Sequence, residues 1–286
     1  MQTLNDHQIS MPIAELIETS KIHLDVLPDS QSLHKNFART IADEIKTNNQ
    51  AGHPTRLILP VGPILQYPML VDICNKERIS WRQVYTFNMD DYCDWQGRPL
   101  PNDHPLSFAG FMHRVVFDRL DDELRIPSNQ IFFPNPMHLD RISEEIARVG
   151  GIDTCYGGIG YHGHVAFNEP PVSRWFSPSI EEFRNSLTRV VPLAPDSVIM
   201  NSIRNIGGDS THFPLMGVTL GMRDILSAKR LRMYCPGGAW QRHIVRMACF
   251  GDEDVDYPVT LMQDPPDYIL VTDEQTATAP MPSLGL

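Results

Sequence analysis

Short apolar runs that stop at proline, glycine or polar residues recur along this chain, and they constrain its fold more than any other feature. The first run, Arg56–Pro60, has the length of one strand and is followed closely by Gly62. Runs of this kind are typical of strands that are covered on both faces of a sheet. Further runs interpreted as strands are Val84–Phe87, Ile152–Tyr156, Leu215–Leu220, Arg232–Cys235 and Tyr268–Thr272.

Segments with a helical spacing of apolar residues lie between these strands. The predicted helices are Leu33–Ile45, Tyr67–Lys76, Ser107–Leu120, Asp140–Val149 and Trp240–Cys249. Strands that alternate with helices predict an α/β fold with a mostly parallel sheet and helices on both faces. Ligands of such sheets bind outside the carboxyl ends of the strands, so the polar residues after each strand are the candidates for a site.

The two ends of the chain differ from this pattern. Residues 1–29 are interpreted as an N-terminal extension, in which Met11, Ile13, Leu16 and Ile17 predict a short helix packed on the body. Residues 276–286 are interpreted as a flexible C-terminal tail. The sequence between them, 30–275, is predicted to be one catalytic domain.

Charge and composition exclude several classes of protein. The formal net charge is −11, which disfavours binding to nucleic acid or to an anionic membrane but leaves room for a small anionic substrate in a locally basic pocket. The five cysteines are scattered without a CxxC pair, which indicates reduced thiols. The chain contains no apolar run of about 18 residues, as a membrane helix needs, and its first residues lack the apolar core of a signal peptide. We therefore expect a cytoplasmic protein.

The segment Thr86–Tyr92, with the sequence TFNMDDY, places two carboxylates directly after a predicted strand. Asp90 or Asp91 could act there as a base toward a bound substrate. The alternative interpretation is structural, because an acid after a strand also serves as a helix N-cap or a loop residue.

The segment Gly158–Pro170, with the sequence GIGYHGHVAFNEP, combines a glycine-rich turn with two histidines and a carboxylate. Glycines let the backbone approach a ligand closely. His162 and His164 could shuttle protons near neutral pH, and Glu169 could orient an imidazole or adjust its pKa. Two alternatives stay open at this point: ordinary loop histidines, or a metal site completed by Asp90 or Glu169. The spacing of the histidines does not match HExxH or other familiar zinc patterns.

Both segments closely resemble the signature motifs of glucosamine-6-phosphate deaminases, which usually read TFNMDEY and G-x-G-x-D-G-H-I-A-F-N-E-P. The resemblance covers roughly residues 30–275. It implies a Rossmann-like sheet and a reaction that opens the sugar ring, moves a proton between C2 and C1 and releases ammonia. It implies that neither a metal nor an organic cofactor is needed. It also implies that the small-molecule partner is a sugar phosphate.

The resemblance also assigns roles to individual residues. Asp90 matches the base that moves the C2 proton, His164 the histidine that assists ring opening, and Glu169 the carboxylate partner of that histidine. His162 stands where the family has an aspartate, so we include it among the catalytic candidates and expect either a rebuilt proton relay or a different reaction.

The phosphate end of the family site is altered as well. The loop Pro60–Leu65 replaces the family's P-T-G-G-T-P, so Pro63 offers no N–H and Ile64 no hydroxyl, and the Pro171–Trp175 loop also differs. The residues expected to contact substrate are Asp91, Gly62, Gly163, Arg204 and Arg242. Arg204 matches a family arginine after one inserted residue, and Arg242 could replace an absent lysine.

Two other functions remain as alternatives. A 6-phosphogluconolactonase-like hydrolase would share the fold and a similar histidine loop. A non-catalytic sugar-phosphate sensor would explain the altered phosphate loop, although mere binding does not require Asp90. Family members occur as monomers and as higher oligomers, so a homo-oligomer is possible and the sequence does not decide.

Overall fold

A computed structural model of the protein describes residues 4–171, 174–265 and 267–280. The strands are β1 (His23–Leu27), β2 (Thr55–Leu59), β3 (Val84–Asn88), β4 (Asp90–Cys93), β5 (Ile131–Phe132), β6 (Thr154–Gly158), β7 (Arg189–Pro192), β8 (Met216–Thr219), β9 (Arg230–Cys235) and β10 (Tyr268–Asp273). The α-helices are α1 (Asp6–Ser10), α2 (Ile13–Thr19), α3 (Ser30–Ala51), α4 (Gln66–Glu77), α5 (Phe108–Val115), α6 (Arg141–Arg148), α7 (Ile180–Arg184), α8 (Pro195–Ile206), α9 (Met222–Leu226), α10 (Arg242–Phe250) and α11 (Glu274–Ala277). Short 3-10 helices cover Phe117–Arg119, Ser128–Gln130, Arg174–Phe176, Gly238–Gln241 and Pro258–Gln263.

Seven strands form a parallel central sheet in the order β1-β10-β9-β6-β2-β3-β5. Alternate side chains of β2 enter separate cores, Leu57 and Leu59 on one face and Ile58 on the other. The first core packs under α3, α4 and α5, and the second under α6, α9 and α10. The predicted α/β fold with a mostly parallel sheet and helices on both faces is therefore confirmed.

A second, three-stranded antiparallel sheet has the order β4-β8-β7. The predicted strand Leu215–Leu220 is β8 and belongs to this sheet, so its placement in the parallel sheet was wrong. A short apolar run looks the same in both kinds of sheet, and its partner β7 was not predicted. The register places Asp90 opposite Thr219. This small sheet carries the first motif to the edge of the central sheet.

The N-terminal segment joins the central sheet. The expected short helix is present as α2, and β1, which the sequence analysis did not predict, pairs in parallel with β10. The fully buried Arg246 of α10 donates hydrogen bonds to the carbonyls of Met11 (3.1 Å) and Ala277 (2.8 Å), which ties both ends of the described chain to one helix. Of the predicted tail 276–286, residues 281–286 lie outside the described range, as do residues 172 and 173 of the Pro171–Trp175 loop.

The predicted chemistry of the cysteines also fits the fold. All five are buried and are not joined in disulfides in this structure. Among the described residues, no helix has the length and apolarity needed to cross a membrane.

The packing of α2 gives a matched test. Leu16 is fully buried in the core, whereas 46% of its neighbour Ile17 is exposed. Leu16→Ala should lower the free energy of unfolding by about 2–5 kcal/mol, as cavity-forming core substitutions do. Ile17→Ala should change it by about 0.5 kcal/mol or less. Urea unfolding of both variants measures the difference, and equal values would show that α2 is not part of the core.

Candidate active site

A cavity of about 510 Å³ opens where several strands of the central sheet end. Its wall includes the loops after β2 and β6, the start of β4 and one face of α8. Four predicted site residues line it: Asp90, His164, Gly62 and Arg204. The cavity therefore brings a carboxylate, an imidazole and a guanidinium group to one space, at the edge of the sheet where a ligand is expected.

Asp90 is the buried carboxylate of this cavity. It is the first residue of β4 and is only 7% exposed. Burial raises the pKa of Asp90 well above its ordinary value of 3.8, and the neighbouring charge of Asp91 raises it further. A carboxylate with a raised pKa is a stronger base, which suits proton abstraction from carbon.

Asp91 has a different task. Its carboxylate accepts hydrogen bonds from the backbone N–H groups of Tyr92 (2.8 Å), Phe108 (2.8 Å) and Ala109 (2.9 Å). Two of these donors belong to the first turn of α5, so Asp91 anchors the start of that helix. It does not line the cavity. In this structure the carboxylate of Asp91 therefore has a structural role, as the alternative interpretation of one acid of the pair describes.

The turn from Gly160 to His164 places the imidazole of His164 at the cavity. The Gly160 N–H donates to the carbonyl of His164 at 2.9 Å, and a Cβ at Gly160 would lie 1.8 Å from Nε2 of His164. Only glycine fits there. Gly163 has a φ of +76°, and its carbonyl accepts from the N–H of Val259 at 2.7 Å, so it shapes the turn without lining the cavity.

His164 is held in a neutral state. Its pKa is lowered to about 3, mainly by burial and also by the nearby His162, while the charge of Asp196 opposes the shift. Its Nδ1 lies 3.6 Å from Oε1 of Glu169, close but beyond hydrogen-bond distance. The side chains of His164 and Glu169, which were predicted to pair, are thus close to each other but form no hydrogen bond in this structure.

Glu169 reaches the beginning of α8. Its Oε2 accepts a hydrogen bond from the N–H of Ala194, the N-cap residue of α8, at 2.5 Å. Burial raises the pKa of Glu169. The unpaired N–H groups and the dipole at a helix N-terminus favour a carboxylate at this position.

His162 has acquired a carboxylate partner from outside the motif. Its Nε2 lies 2.5 Å from Oδ2 of Asp196, which stands in the first turn of α8. Asp196 was not predicted from the sequence, because it lies 34 residues further along the chain and in no recognised motif. The acidic residue after Pro195, at the start of a helix, was the only available signal.

The face of α8 toward the cavity carries Ser197, Asn201 and Arg204, which are spaced by four and three residues. Burial lowers the pKa of Arg204, and its guanidinium carbon lies 5.1 Å from the ring centre of Trp240. Arg204 is the only lysine or arginine among the described residues that line the cavity. Arg242, the predicted replacement for an absent lysine, does not line the cavity and donates to the carbonyl of Gln275 at 3.1 Å.

The altered loop after β2 forms another part of the wall. Gly62 has a φ of +138°, and its carbonyl oxygen would lie 2.1 Å from a Cβ placed on Gly158, so the loop packs closely against the end of β6. Ile64 and Leu65 face the cavity and are 40% and 60% exposed. Tyr161 and Trp240, with ring centres 6.4 Å apart, line it as well. This end of the cavity is therefore more apolar than it would be if the loop offered backbone N–H and hydroxyl donors, as the family loop P-T-G-G-T-P does.

The second motif also offers possible metal ligands. His162, His164 and Glu169 each provide one ligand atom, and these atoms lie within 4.8 Å of one another.

The cavity thus places a buried carboxylate, an imidazole and a guanidinium group at the carboxyl edge of a parallel sheet, an arrangement typical of enzymes of the α/β class. Comparison with known proteins agrees. The chain is 34% identical over 261 residues to a glucosamine-6-phosphate deaminase of Porphyromonas gingivalis, covering 88% of this chain and 92% of that protein. It is 32% identical over 257 residues to the enzyme of that name from Cronobacter sakazakii, covering 87% and 89%.

Solved structures give the same result for the fold. A monomeric glucosamine-6-phosphate deaminase of the NagB superfamily aligns with a TM-score of 0.74 and 25% identity, over 90% of this chain and 99% of that one. A 6-phosphogluconolactonase from Thermotoga maritima aligns with a TM-score of 0.62 and 16% identity, over 87% and 98%. No family model matches the chain. Because the chain is 34% identical to a glucosamine-6-phosphate deaminase over most of both chains, this protein belongs to the glucosamine-6-phosphate deaminase family.

The contrast between Asp90 and Asp91 predicts opposite effects on stability. Because the folded state raises the pKa of Asp90, folding favours its protonated form, and the ionised form destabilises the fold. Asp90→Asn should therefore raise the Tm at neutral pH by about 2–4 °C, the shift that about 1 kcal/mol produces in a chain of this size. Asp91→Ala leaves three backbone donors without their acceptor and should destabilise by about 1–3 kcal/mol.

Thermal unfolding against pH checks the sign. The advantage of Asp90→Asn should be absent below pH 3.8, grow as the pH rises toward the raised pKa of folded Asp90, and stay constant above it. A variant less stable than the wild type at neutral pH would show that the ionised Asp90 is stabilised by its surroundings.

Proposed function

We propose that this protein is an amino sugar 6-phosphate isomerase/deaminase, which opens the sugar ring, transfers a proton from C2 to C1 and releases ammonia or another amine. The observation that carries the proposal is the convergence of Asp90, His164 and Arg204 on one cavity. Relatives named glucosamine-6-phosphate deaminase over most of the chain support it.

Ring opening is the first step. The hydroxyl proton at C1 leaves, the bond between C1 and the ring oxygen breaks, and a proton reaches the ring oxygen. A neutral imidazole can accept one proton and return another, and the lowered pKa of His164 keeps it neutral at the start. His164 is therefore the residue that we assign to this step.

The proton transfer belongs to Asp90. Its carboxylate removes the proton from C2 of the open-chain aldehyde and returns it to C1, while a proton of the amine reaches the aldehyde oxygen, so that C1 becomes an alcohol carbon and C2 an imine carbon. Water then adds to the imine, and the amine leaves as the C2 ketone forms. Burial raises the pKa of Asp90 and so makes its carboxylate basic enough for this transfer.

The altered motif is consistent with a rebuilt proton relay. The family aspartate beside the histidine is replaced by His162, but Asp196 brings a carboxylate to Nε2 of His162 at 2.5 Å. The negative charge of Asp196 also raises the pKa of His164, against the effect of burial. The charge of a carboxylate from outside the motif thus acts on His164.

The anionic end of the substrate is assigned to Arg204. A guanidinium group can hold a phosphate with two parallel hydrogen bonds. The loop Gly62–Leu65 supplies fewer donors than the family loop, so most of the binding energy for the phosphate falls on this one arginine. Its contact with Trp240 holds it in place at the cavity wall.

The direct test is ammonia release from a panel of hexosamine 6-phosphates. We expect at least one member to yield ammonia and a ketose phosphate, and Asp90→Asn to lower kcat by about 10²- to 10⁴-fold because the base is lost. On the acid side, kcat/KM should fall at a pH well above 3.8, where Asp90 becomes protonated. Folded wild-type protein that binds these sugars but turns over none of them would instead support the sensor alternative.

The two arginines give a test of phosphate binding. Arg204→Gln should raise KM for a phosphorylated substrate by about 10- to 100-fold, because a charge-assisted pair is lost. Arg242→Gln should leave KM unchanged, since Arg242 lies outside the cavity lining. Steady-state kinetics on one substrate measures both. An equal loss in the two variants would mean that the phosphate does not contact Arg204.

A further inference from the structure

The second motif carries three buried atoms that the proposed reaction leaves without a hydrogen-bond partner among the described residues. These atoms are Nδ1 of His162, Nδ1 of His164 and Oε1 of Glu169. Buried polar atoms without partners are rare in folded proteins, and each one calls for an explanation. All three are lone-pair donors of the kind that bind transition metals.

We propose that His162, His164 and Glu169 form a binding site for a divalent transition metal, with Zn²⁺ as the best-matched ion, and that occupation of this site switches off ring opening. One ligand atom from each residue lies within 4.8 Å of the others. Two imidazole nitrogens and one carboxylate oxygen form a recognised zinc ligand set that leaves the fourth position open.

The separation between His164 and Glu169 fits one shared ion. Nδ1 of His164 and Oε1 of Glu169 lie 3.6 Å apart, too far for a hydrogen bond. Two ligand atoms bound to one tetrahedral zinc at about 2.0–2.2 Å are about 3.4 Å from each other. These two atoms therefore already stand at the spacing of two ligands of one ion.

Asp196 prepares the third ligand. A hydrogen bond to its carboxylate requires that Nε2 of His162 carry the proton, and the two atoms are 2.5 Å apart. The lone pair of His162 then resides on Nδ1, the atom that is buried without a partner. An acid that fixes the tautomer of a histidine in this way is the usual neighbour of a metal-bound imidazole.

The cysteine thiols, which are strong zinc ligands when ionised, are not available for this site. All five cysteines are buried, and burial raises the pKa of every one of these thiols. Thiolates are the form that binds metals, so these side chains do not compete. The formal net charge of −11 also favours the approach of a cation.

Metal binding and ring opening exclude each other at His164. A metal on Nδ1 leaves the ring proton on Nε2, so the neutral imidazole has no lone pair left with which to accept a proton. This inhibitory half rests on the proposed function, whereas the binding half does not. The two halves therefore need separate measurements.

Binding is measured on the full chain without substrate. Protein stripped with a chelator is titrated with Co²⁺, followed by visible absorption, and then with Zn²⁺ in competition, with bound zinc counted after equilibrium dialysis. We expect one Zn²⁺ per chain, a tetrahedral Co²⁺ spectrum and no competition from Mg²⁺, which prefers oxygen ligands.

Three variants locate the site. His162→Gln should weaken Zn²⁺ binding by more than about 100-fold, and Asp196→Asn by about 10- to 100-fold, the range for residues that orient a metal ligand. His212→Gln is the matched control, because His212 is an exposed histidine paired with Asp209 at 2.6 Å and should bind no differently from the wild type. Thermal unfolding confirms that each variant is folded.

Either of two results would overturn the proposal: wild-type protein that binds no stoichiometric Zn²⁺, or equal loss of binding in His162→Gln and His212→Gln. If ammonia release is observed, Zn²⁺ should abolish it in the wild type and a chelator should restore it. Turnover that continues with Zn²⁺ bound would contradict the inhibitory half alone, and a protein that binds Zn²⁺ but turns over no sugar would contradict only the proposed function.

Discussion

The candidate site depends on the N-terminus of helix α8. The amide of Ala194 is bound by Glu169, and Asp196 in the first turn is bound by His162. Both contacts bring negative charge to the end of the helix where unpaired N–H groups and the dipole favour it. One helix end therefore contacts two side chains of the second motif, Glu169 and His162. The same helix then presents Arg204 to the cavity, so the imidazole and the cation are positioned by a single rigid element.

The adjacent residues Asp90 and Asp91 have different surroundings because they lie next to each other on the strand β4. Successive side chains of a strand point to opposite faces, so Asp90 and Asp91 leave β4 in different directions. Asp91 meets three backbone donors and becomes part of the scaffold. Asp90 lines the cavity, and among the described residues no group donates a hydrogen bond to its carboxylate. Burial makes its ionised form costly in the folded protein, and its pKa is therefore raised.

Much of this architecture was predictable, for physical reasons that also explain the failures. Buried parallel strands such as β2, β6 and β10 are continuous apolar runs, and these were predicted with small errors at their ends. The edge strand β1 was missed because only one side of an edge strand is paired and its apolar pattern is weak. Strand β8 was found but assigned to the wrong sheet, since pairing partners are a property of tertiary structure.

The site residues also differ in this respect: those in a local sequence motif were predicted, and those set by tertiary contacts were not. Asp90 and His164 stand in continuous motifs, and the predicted positions at the cavity are where the structure places them. Asp196 was invisible, because its partner His162 lies 34 residues away and contact across such a distance leaves no local pattern. Arg204 and Arg242 were equally plausible by residue type. Only the helix that carries Arg204 faces the cavity, and no local pattern distinguishes the two.

The exchange of an aspartate for His162 changes when His164 can accept a proton, as well as what can bind beside it. An acid in that place would put a negative charge next to His164 and raise its pKa, whereas burial and, to a smaller extent, His162 lower that pKa to about 3. In the free protein His164 is then a poor proton acceptor. Under the proposed function, a phosphorylated sugar would bring negative charge into the cavity, and that charge would raise the pKa of His164 toward the range where it exchanges protons. A metal ion at the proposed site, being positive, would have the opposite effect.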